Sequence, residues 1–440
     1  MSSLFEKADS NSNPTNFWSI PSQDSLKEIQ KKSIFQGFLS IPQSASSLKK
    51  RKFIITKSKI FYMKKSAKTP KFMSEINWKK VEPFTEECLS DQRFGFRLGH
   101  KSIFQDFYTK NASELDLWLD NLSKISIMSD LEMDFAIIKE IGQGNFAEIL
   151  LAEDLGDHKQ FAIKKISKNK LLNGTLSIEN EIEIMRKFPH PNIVSLYKIY
   201  ESESTISLIL EYFPEGDLFQ RLLKKNRLEE HNAAKLMMNL LDALNFLHEN
   251  HVIHRDLKLE NILMKCSDND YEIKLGDFGL ACISGDEEVL RCGSPGYIAP
   301  EILNRQPYSS KVDIFGAGVI LYVLLSGNFP FTGKDVGDVL LKNRKCMLSF
   351  SEKRWKKTSE YAVDLVKRLM DPNPATRLSS AEALRHPWFY QHTKKRSIET
   401  PMTNDIGQNS IEINIEVFKK HNSNQKKDKN KNTRIKLIKQ

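Results

Sequence analysis

The strongest constraint on the fold is the order and spacing of six charged or amide residues in the middle of the chain. They are Lys164, Glu181, Asp256, Lys258, Asn261 and Asp277. A solvent-exposed loop would explain any single Asp or Asn, because such residues favour turns. It does not explain all six in this order. We therefore predict that these side chains converge on one chemical site.

Two short motifs contain four of these residues. His254 to Asn261 reads His-Arg-Asp-Leu-Lys-Leu-Glu-Asn, and Asp277-Phe-Gly follows it. Both resemble motifs of eukaryotic protein kinases, and the Lys-x-Glu-Asn form resembles the serine/threonine kinases. The resemblance implies that Asp256 accepts the substrate hydroxyl proton and that Lys258 neutralises the transferring phosphoryl group. It also implies Mg²⁺, held by Asn261 and by the hard carboxylate oxygens of Asp277.

A glycine-containing turn from Ile141 to Ile149 is the first part of the expected ATP site. Its two glycines would let the backbone approach phosphates, although Ala147 replaces the third glycine of the kinase pattern, and an ordinary turn would explain this motif if it stood alone. Lys164 follows at the spacing of the kinase lysine that holds the α- and β-phosphates. The resemblance implies nucleotide contacts from Gly142, Gln143, Gly144, Asn145, Phe146, Ala147, Ile149, Ala162, Lys164, Glu211, Phe213, Asp217 and Leu263.

Lys164 is expected to pair with a glutamate of the next predicted helix. Glu179, Glu181 and Glu183 compete for this role. The likeness to the segment that precedes His-Pro-Asn-Ile-Val in related kinases favours Glu181. The predicted catalytic residues are therefore Asp256, Lys258, Lys164 and Glu181.

The kinase resemblance covers residues 135–389 and implies an α+β, bilobal fold with a small β-rich lobe and a large helical lobe. The longest apolar run, Ile314 to Leu325, is too short to span a bilayer, so it is expected to form a buried core helix. Glu301 and Arg377 are expected to form a structural ion pair, and Asp313 is also expected to have a structural role.

The segment Cys292 to Glu301 is similar to that of the calcium/calmodulin-dependent kinase group. Asp217 and Glu260 fall where relatives in that group place acids that contact a basic residue three positions before the target. We therefore expect protein substrates with this basic residue. The alternative is a kinase-fold scaffold with a protein-binding N-terminal domain, but a pseudokinase would lack a catalytic group and none is missing.

The activation segment has few hydroxyl groups, and Leu290 occupies the usual phosphothreonine position. Arg255 could instead bind the carboxylates of Asp286, Glu287 and Glu288, giving activity without phosphorylation in this segment. A merely solvated acidic loop explains the same residues equally well.

The region from Ser33 to Ser126 is rich in strand signals and ends in an amphipathic helix with Trp118 at its centre. We expect Ser113 to cap this helix, because an acidic residue follows three positions later. Strands followed by one such helix resemble a pleckstrin homology (PH) domain, which implies a β-barrel with a C-terminal helix. An unnamed small β-barrel is the alternative.

Four consecutive basic residues in this region are candidates for lipid contact: Lys49, Lys50, Arg51 and Lys52. Lys49 and Arg51 fall at two positions that phosphoinositide-binding PH domains use, whereas Ile41 stands at the third. We therefore expect weak binding to anionic phospholipid, at ~1 kcal/mol per basic residue. A protein-contact role is the alternative.

The formal net charge of +10 comes from the flanks, since residues 34–129 and 390–440 are basic and residues 130–389 are acidic overall. Excess surface Lys is more often solubilising than nucleic-acid-binding, so no nucleic acid partner is expected. Residues 1–32 are expected to form a disordered arm and 390–440 a disordered tail. The chain has no EF-hand calcium loop. Scattered cysteines and the missing export signal favour a cytoplasmic protein, with peripheral membrane contact as a further option.

Overall fold

A computed structural model describes residues 5, 16–21, 26–44, 47–63, 69–87, 92–100, 103–144, 147–172, 178–283, 292–351 and 355–393. The chain divides into two compact units. The first comprises Met1–Thr175 and Leu196–Tyr212, and the second comprises Leu176–Ser195 and Phe213–Gln440.

The first unit is β-rich. Its N-terminal strands are β1 (Phe35–Ser44), β2 (Ser47–Ile55), β3 (Lys59–Met63), β4 (Pro70–Glu75), β5 (Lys80–Glu87), β6 (Gln92–His100) and β7 (Ile103–Tyr108). β2 and β3 form a hairpin and pair antiparallel from Lys52 with Met63 to Ile55 with Ile60. β-Branched and aromatic residues dominate both strands where they pair, as strand propensity requires.

Both faces of this hairpin are buried. Phe53 and Tyr62 belong to the main core of the unit. Ile54 and Phe61 point the other way and pack with Ile29 of helix α1 (Leu26–Lys31). The alternation of side chains along a strand therefore divides the hairpin between two apolar clusters.

Helix α2 (Ala112–Ser123) follows β7, as the apolar spacing predicts. The expected cap was wrong, because Asn111 rather than Ser113 is the N-cap residue. The Asn111 backbone is extended, with φ −157° and ψ 176°, and its side chain accepts a hydrogen bond from the Glu114 N–H. Trp118 is 1% exposed and packs edge-to-face on Phe35.

The same unit continues into the small-lobe strands β8 (Ile127–Met128), β9 (Phe135–Gln143), β10 (Ala147–Asp154), β11 (Gln160–Ser167), β12 (Leu196–Glu201) and β13 (Thr205–Glu211), with helix α3 (Lys168–Leu172) after β11. In the part of the chain that the structure describes, the strand order is β4-β3-β2-β1-β7-β6-β5-β8-β12-β13-β11-β10-β9. The expected barrel is therefore not formed. β5 pairs with β8 instead of closing the sheet against β4.

The expectation of a disordered arm over residues 1–32 is wrong where that arm is described. Phe17 is buried, and Trp18 stacks on Phe53. The Ser19 N–H donates to the Met73 carbonyl and its own carbonyl accepts from the Met73 N–H, both at 2.9 Å. Aromatic burial and strand-like pairing fix this segment against β4.

The second unit is mainly helical. Its helices are α4 (Ile178–Lys187), α5 (Leu218–Lys225), α6 (Glu230–Glu249), α7 (Pro300–Leu303), α8 (Lys311–Ser326), α9 (Val336–Lys345), α10 (Glu360–Leu369), α11 (Ser380–Leu384) and α12 (Pro387–Thr393). Its described residues also form two short antiparallel pairs: β14 (Val252–Ile253) with β17 (Cys282–Ile283), and β15 (Ile262–Met264) with β16 (Ile273–Leu275).

Helix α8 is the predicted core helix, and every residue from Val312 to Ser326 is buried. Gly318 has a packing role, because a Cβ at this position would lie 2.5 Å from Met370 Cγ and 2.9 Å from Leu369 Cβ. The glycine thus lets the end of α10 approach α8. Of the helices in the described ranges, none combines the length and the apolar character that crossing a bilayer requires.

Candidate active site

Asp313, at the start of α8, holds the loop that contains His254 and Asp256 by accepting hydrogen bonds from the backbone of that loop. Its two carboxylate oxygens accept the N–H groups of His254 and Arg255, each at 2.9 Å. Burial raises the pKa of Asp313, but the hydrogen bond and charge of His248 and the nearby His254 outweigh this and lower it. Asp313 is therefore an ionised anchor, in agreement with its expected structural role.

His254 links this loop to the segment before Asp277. Its Nε2 lies 3.1 Å from the Gly276 carbonyl, and its Nδ1 accepts the Asp256 N–H at 3.3 Å. A carbonyl can only accept, so Nε2 donates to Gly276 while Nδ1 accepts from the Asp256 N–H. The buried imidazole thereby joins the backbones of the two motifs predicted from the sequence.

Asp256 lies at the centre of a three-residue cluster. Its Oδ1 accepts from Ser294 Oγ at 2.8 Å, and its Oδ2 accepts from Lys258 Nζ at 2.7 Å. Lys258 also donates to Ser294 Oγ at 3.3 Å. Burial lowers the pKa of Lys258, but the charges of Asp256, Asp277 and Glu260 outweigh it, so the pKa is raised and the ammonium stays charged. The structure thus brings a carboxylate and a cation to one point.

Asn261 and Asp277 supply oxygen atoms suited to Mg²⁺. The amide nitrogen of Asn261 donates to the Asp256 carbonyl at 2.8 Å, so its amide oxygen is the atom left to ligate a metal. Asp277 has a left-handed backbone at φ 60°, which is rare for a residue with a side chain. Among the described residues no group of three or more His, Cys, Asp or Glu could hold a metal. One amide and one carboxylate still fit Mg²⁺, which takes further ligands from phosphates and water.

The glycine turn lies between β9 and β10 in the first unit. Gly142 pairs with Ile149, and the Gly144 N–H donates to the Ala147 carbonyl at 2.8 Å. A Cβ at Gly142 would make only ordinary contacts, 3.6 Å from Ile149 Cβ. The packing of the strands does not require glycine there, so approach of a ligand explains it better. Asn145 and Phe146 lie outside the described residues.

Three of the other nucleotide candidates, Ile149, Ala162 and Lys164, lie on one face of the small-lobe sheet. Lys164 on β11 is paired with Ile149 on β10 and with Leu208 on β13. Ala162 lies two residues before Lys164 and so shares its face. Ile163, between them, is fully buried in the core on the opposite face. Glu211 closes β13, paired with Phe161.

Helix α4 distinguishes the three glutamates that compete to pair with Lys164. Glu181 is 4% exposed, beside the buried Ile182 and Met185. Glu183 is instead engaged by Lys187 at 2.9 Å. Burial thus favours Glu181, while its pairing with Lys164 stays a prediction.

A model of the family described as "Protein kinase domain" matches residues 135–389 of the chain. The chain belongs to the protein kinase family. That range is more than half of the sequence, and it includes every residue of the site described above.

Known relatives agree with this assignment. Over 276 residues the kinase is 33% identical to "Myosin light chain kinase A" of Dictyostelium discoideum, covering 62% of this chain and 94% of that protein. It is 38% identical over 256 residues to "Calcium/calmodulin-dependent protein kinase type 1" of Caenorhabditis elegans, covering 58% and 73%. Identity to "Probable serine/threonine-protein kinase 2" of Plasmodium falciparum is also 38% over 256 residues, covering 58% and 50%. The protein is a serine/threonine protein kinase with relatives in the calcium/calmodulin-dependent group.

Two acids of the kinase lie beside this site. Asp217 caps α5 by accepting the Gln220 N–H at 2.8 Å, and its backbone forms a bridge with Leu263, another predicted nucleotide contact. Phe213 is buried shortly before Asp217. Burial raises the pKa of Asp217 and also that of Glu260. The Oε2 atom of Glu260 is shielded from solvent, with no hydrogen-bond partner among the described residues.

The expected ion pair between Glu301 and Arg377 is confirmed. Two parallel hydrogen bonds join them, at 2.7 and 2.9 Å, and both side chains are buried. Arg255 contacts two groups that sequence reasoning missed: its Nε donates to the Leu280 carbonyl at 2.6 Å and its Nη1 to Tyr308 Oη at 3.2 Å. The acidic residues expected to bind Arg255, from Asp286 to Glu288, lie outside the described residues.

The four basic residues predicted to contact lipid do not form one patch. Lys49 and Arg51 alternate with Lys50 and Lys52 along β2, so each pair lies on its own face of the strand. Arg51 donates to Tyr62 Oη at 2.7 Å, whereas Lys50 lies over the ring of Phe38. A single ligand on one face would therefore meet two of these residues.

Proposed function

We propose that this kinase transfers the γ-phosphate of ATP to Ser or Thr hydroxyls of proteins that carry a basic residue three positions before the target. The cluster of Asp256, Lys258 and Ser294 carries the proposal. Hydrogen bonds from Ser294 and Lys258 fix the orientation of the Asp256 carboxylate, so it can accept the proton of an incoming hydroxyl.

The surrounding residues divide the remaining work. Lys258 stays cationic and neutralises charge on the group in transfer, while Lys164, paired with Glu181, holds the α- and β-phosphates. Asn261 and Asp277 present the oxygen atoms that would hold Mg²⁺. When bound, the metal neutralises charge on the β- and γ-phosphate oxygens. Gly142 and Gly144 leave room for the backbone to approach the phosphates.

The basic preference is supported by Asp217 and Glu260. Burial disfavours the charged form of both carboxyls, because it removes the water that solvates a carboxylate. A guanidinium placed between them would stabilise the charged form again. The shielded Oε2 of Glu260 is the atom best placed to accept such a donor. Hydrogen bonds to charged groups contribute about 1.5–3 kcal/mol.

The test is phosphorylation of a degenerate peptide library with ATP and Mg²⁺ by the wild type, Asp277→Asn and Asp268→Asn. Asp268 is an exposed loop residue and serves as the matched control. We expect Ser and Thr peptides with Arg or Lys at the third position before the target to be preferred, no transfer by Asp277→Asn, and normal transfer by Asp268→Asn. Selection of acidic residues at that position would contradict the specificity, and an inactive wild type would favour the scaffold alternative.

For the N-terminal strands, we propose a PH-like domain that binds anionic surfaces weakly. The order β4-β3-β2-β1-β7-β6-β5, followed by one helix with a central Trp, supports the likeness. The family match to residues 135–389 does not extend to these strands. Cosedimentation with phosphatidylserine vesicles tests the binding. Lys49→Glu should weaken it more than Lys50→Glu, and equal losses or no binding would refute a site on the Lys49 face.

A further inference from the structure

The N-terminal strands and the small lobe are joined by a strand of two residues. β8 lies between β5 and β12 and is parallel to both. Ile127 is paired with Lys80, and Met128 with Val81 on one side and with Tyr200 on the other. The Ile127 N–H donates to the Lys79 carbonyl at 3.0 Å. One backbone segment therefore belongs to both ladders.

The residues between α2 and β8 are fixed by hydrogen bonds. Helix α2 ends at Ser123, and the N–H groups of Ile125 and Ser126 both donate to the Leu122 carbonyl, at 2.9 and 2.7 Å. The buried hydroxyl of Ser126 donates to the Ile76 carbonyl at 2.9 Å. A flexible linker between domains would show few such contacts, because linkers are exposed and rich in small polar residues.

The residues after β8 are tied to the small lobe in the same way. The Asp134 carboxylate accepts from the hydroxyl of Tyr200 and, at 3.5 Å, from Lys198 Nζ. Its carbonyl accepts the Leu155 N–H at 2.8 Å. Burial, together with the hydrogen bond to Asp134, raises the pKa of Tyr200. Two side chains of β12 and the β10–β11 turn thus hold the chain where it leaves β8.

A continuous apolar core accompanies this connection. Trp118 and Met128 belong to the same buried cluster as Ile163 on β11 and Ile209 on β13. Ile163 is the neighbour of Lys164 and lies on the opposite face of the same strand. The face of β11 opposite Lys164 therefore packs on the core that is shared with the N-terminal strands.

This arrangement also covers an edge. Without β8, the outer side of β12 would present unpaired N–H and C=O groups, which invite pairing with other chains. β8 occupies that side with buried apolar residues, at 0% exposure for Ile127 and 6% for Met128. β8 therefore covers the edge of β12 where Met128 pairs with Tyr200.

We propose that strands β1 to β13 unfold and refold as one cooperative body, with β8 as its joint, and that the N-terminal strands are an integral part of the small lobe. Anything that stabilises the N-terminal strands then stabilises β11, and the converse also holds. This inference does not depend on the proposed substrate preference or lipid contact.

Amide hydrogen exchange of the full-length wild type in increasing urea tests the proposal. The slowest amides of β6 and of β11 should lose protection at one urea concentration and with one urea dependence, because a single opening event exposes both. Two separate midpoints, with β6 opening while β11 stays protected, would overturn it.

The pair Ile127→Pro and Ile127→Val gives a second, independent measurement. Proline removes the N–H that donates to Lys79, whereas valine keeps it. Exchange in Ile127→Pro should be about tenfold faster in both β5 and β12, from the loss of one buried hydrogen bond, and nearly unchanged in Ile127→Val. Acceleration confined to β5 would contradict the proposal. If Ile127→Pro does not fold, the urea series decides.

Discussion

Ser294 is not among the catalytic residues predicted from the sequence, yet its hydroxyl lies 2.8 Å from the Asp256 carboxylate. Its hydroxyl fixes one carboxylate oxygen, while Lys258 fixes the other. A carboxylate whose two oxygens both accept hydrogen bonds is held in one orientation. Proton acceptance from a bound hydroxyl requires such fixed positioning.

The effect of Ser294 is measurable in kcat. We expect Ser294→Ala to lower kcat about tenfold, the equivalent of one lost hydrogen bond to a charged group, with little change in the KM for ATP. Ser294→Thr keeps the hydroxyl and should retain most activity. Steady-state kinetics of the two variants check this, and equal losses in both would show that the size of the side chain matters rather than its hydroxyl.

The raised pKa values of Asp217 and Glu260 predict a pH-dependent specificity. A carboxyl with a raised pKa takes up a proton at higher pH than usual, and the neutral form attracts a guanidinium weakly. The KM for a peptide with arginine three positions before the target should therefore rise as the pH falls, beginning at a higher pH than an ordinary carboxyl would give.

A peptide with alanine at the same position is the control for this pH series. Its KM should stay nearly constant, because it carries no charge for the two acids to bind. Glu260→Gln should reduce the pH-dependent difference between the two peptides, with Asp217 responsible for what remains, whereas Glu249→Gln, on the exposed end of α6, should preserve it. Parallel pH profiles for both peptides in the wild type would argue against this specificity.

At the scale of elements, helix α2 shows which part of a prediction depends on local sequence. The positions of Leu115, Trp118 and Leu122 at helical spacing predict the buried face correctly. The cap was misplaced because Asn111 and Ser113 are both good capping residues. The choice depends on backbone angles, and only Asn111 is extended with its side chain on the Glu114 N–H.

Capping gives a direct stability test. Asn111→Ala should lower the free energy of unfolding by about 1 kcal/mol, the usual contribution of an N-cap side chain. Ser113→Ala should leave it unchanged or raise it slightly, since Ser113 is exposed inside the helix and alanine is the better helix former. Urea unfolding of the two variants measures both values, and a larger loss for Ser113→Ala would contradict the assignment of the cap.

The elements that sequence reasoning missed are short or depend on distant partners. β8 has two residues, too few for any periodicity, and its pairing with β5 and β12 is set by tertiary contacts. Phe17 and Trp18 stand alone in a polar segment, so composition suggested disorder. The catalytic residues could be predicted because their chemistry fixes both residue type and spacing.

At the scale of the whole molecule, the buried pair of Glu301 and Arg377 joins residues far apart in the second unit. Removing one partner of such a pair leaves the other as a buried charge that neither an ion-pair partner nor solvent stabilises. We expect Arg377→Met to lower the free energy of unfolding by about 3–5 kcal/mol. Replacing both, as Glu301→Gln with Arg377→Met, should recover part of the loss.

The exposed ion pair between Lys187 and Glu183 on α4 is the control for this measurement. Lys187→Met should change the free energy of unfolding by less than about 0.5 kcal/mol, as is typical for solvated pairs on a helix. Similar effects in Lys187→Met and Arg377→Met would show that burial does not set the energetics here.

The shared core of the first unit matters for anyone who expresses this kinase in pieces. A recombinant fragment that begins at the family boundary, Phe135, would lack β8 and the apolar side chains packed behind Ile163 and Ile209. An unpaired edge of β12 and an exposed apolar face behind β11 and β13 are features that drive association of β-proteins. Such a fragment should precipitate or pair with itself, so the shortest well-behaved catalytic fragment of this chain has to include the N-terminal strands.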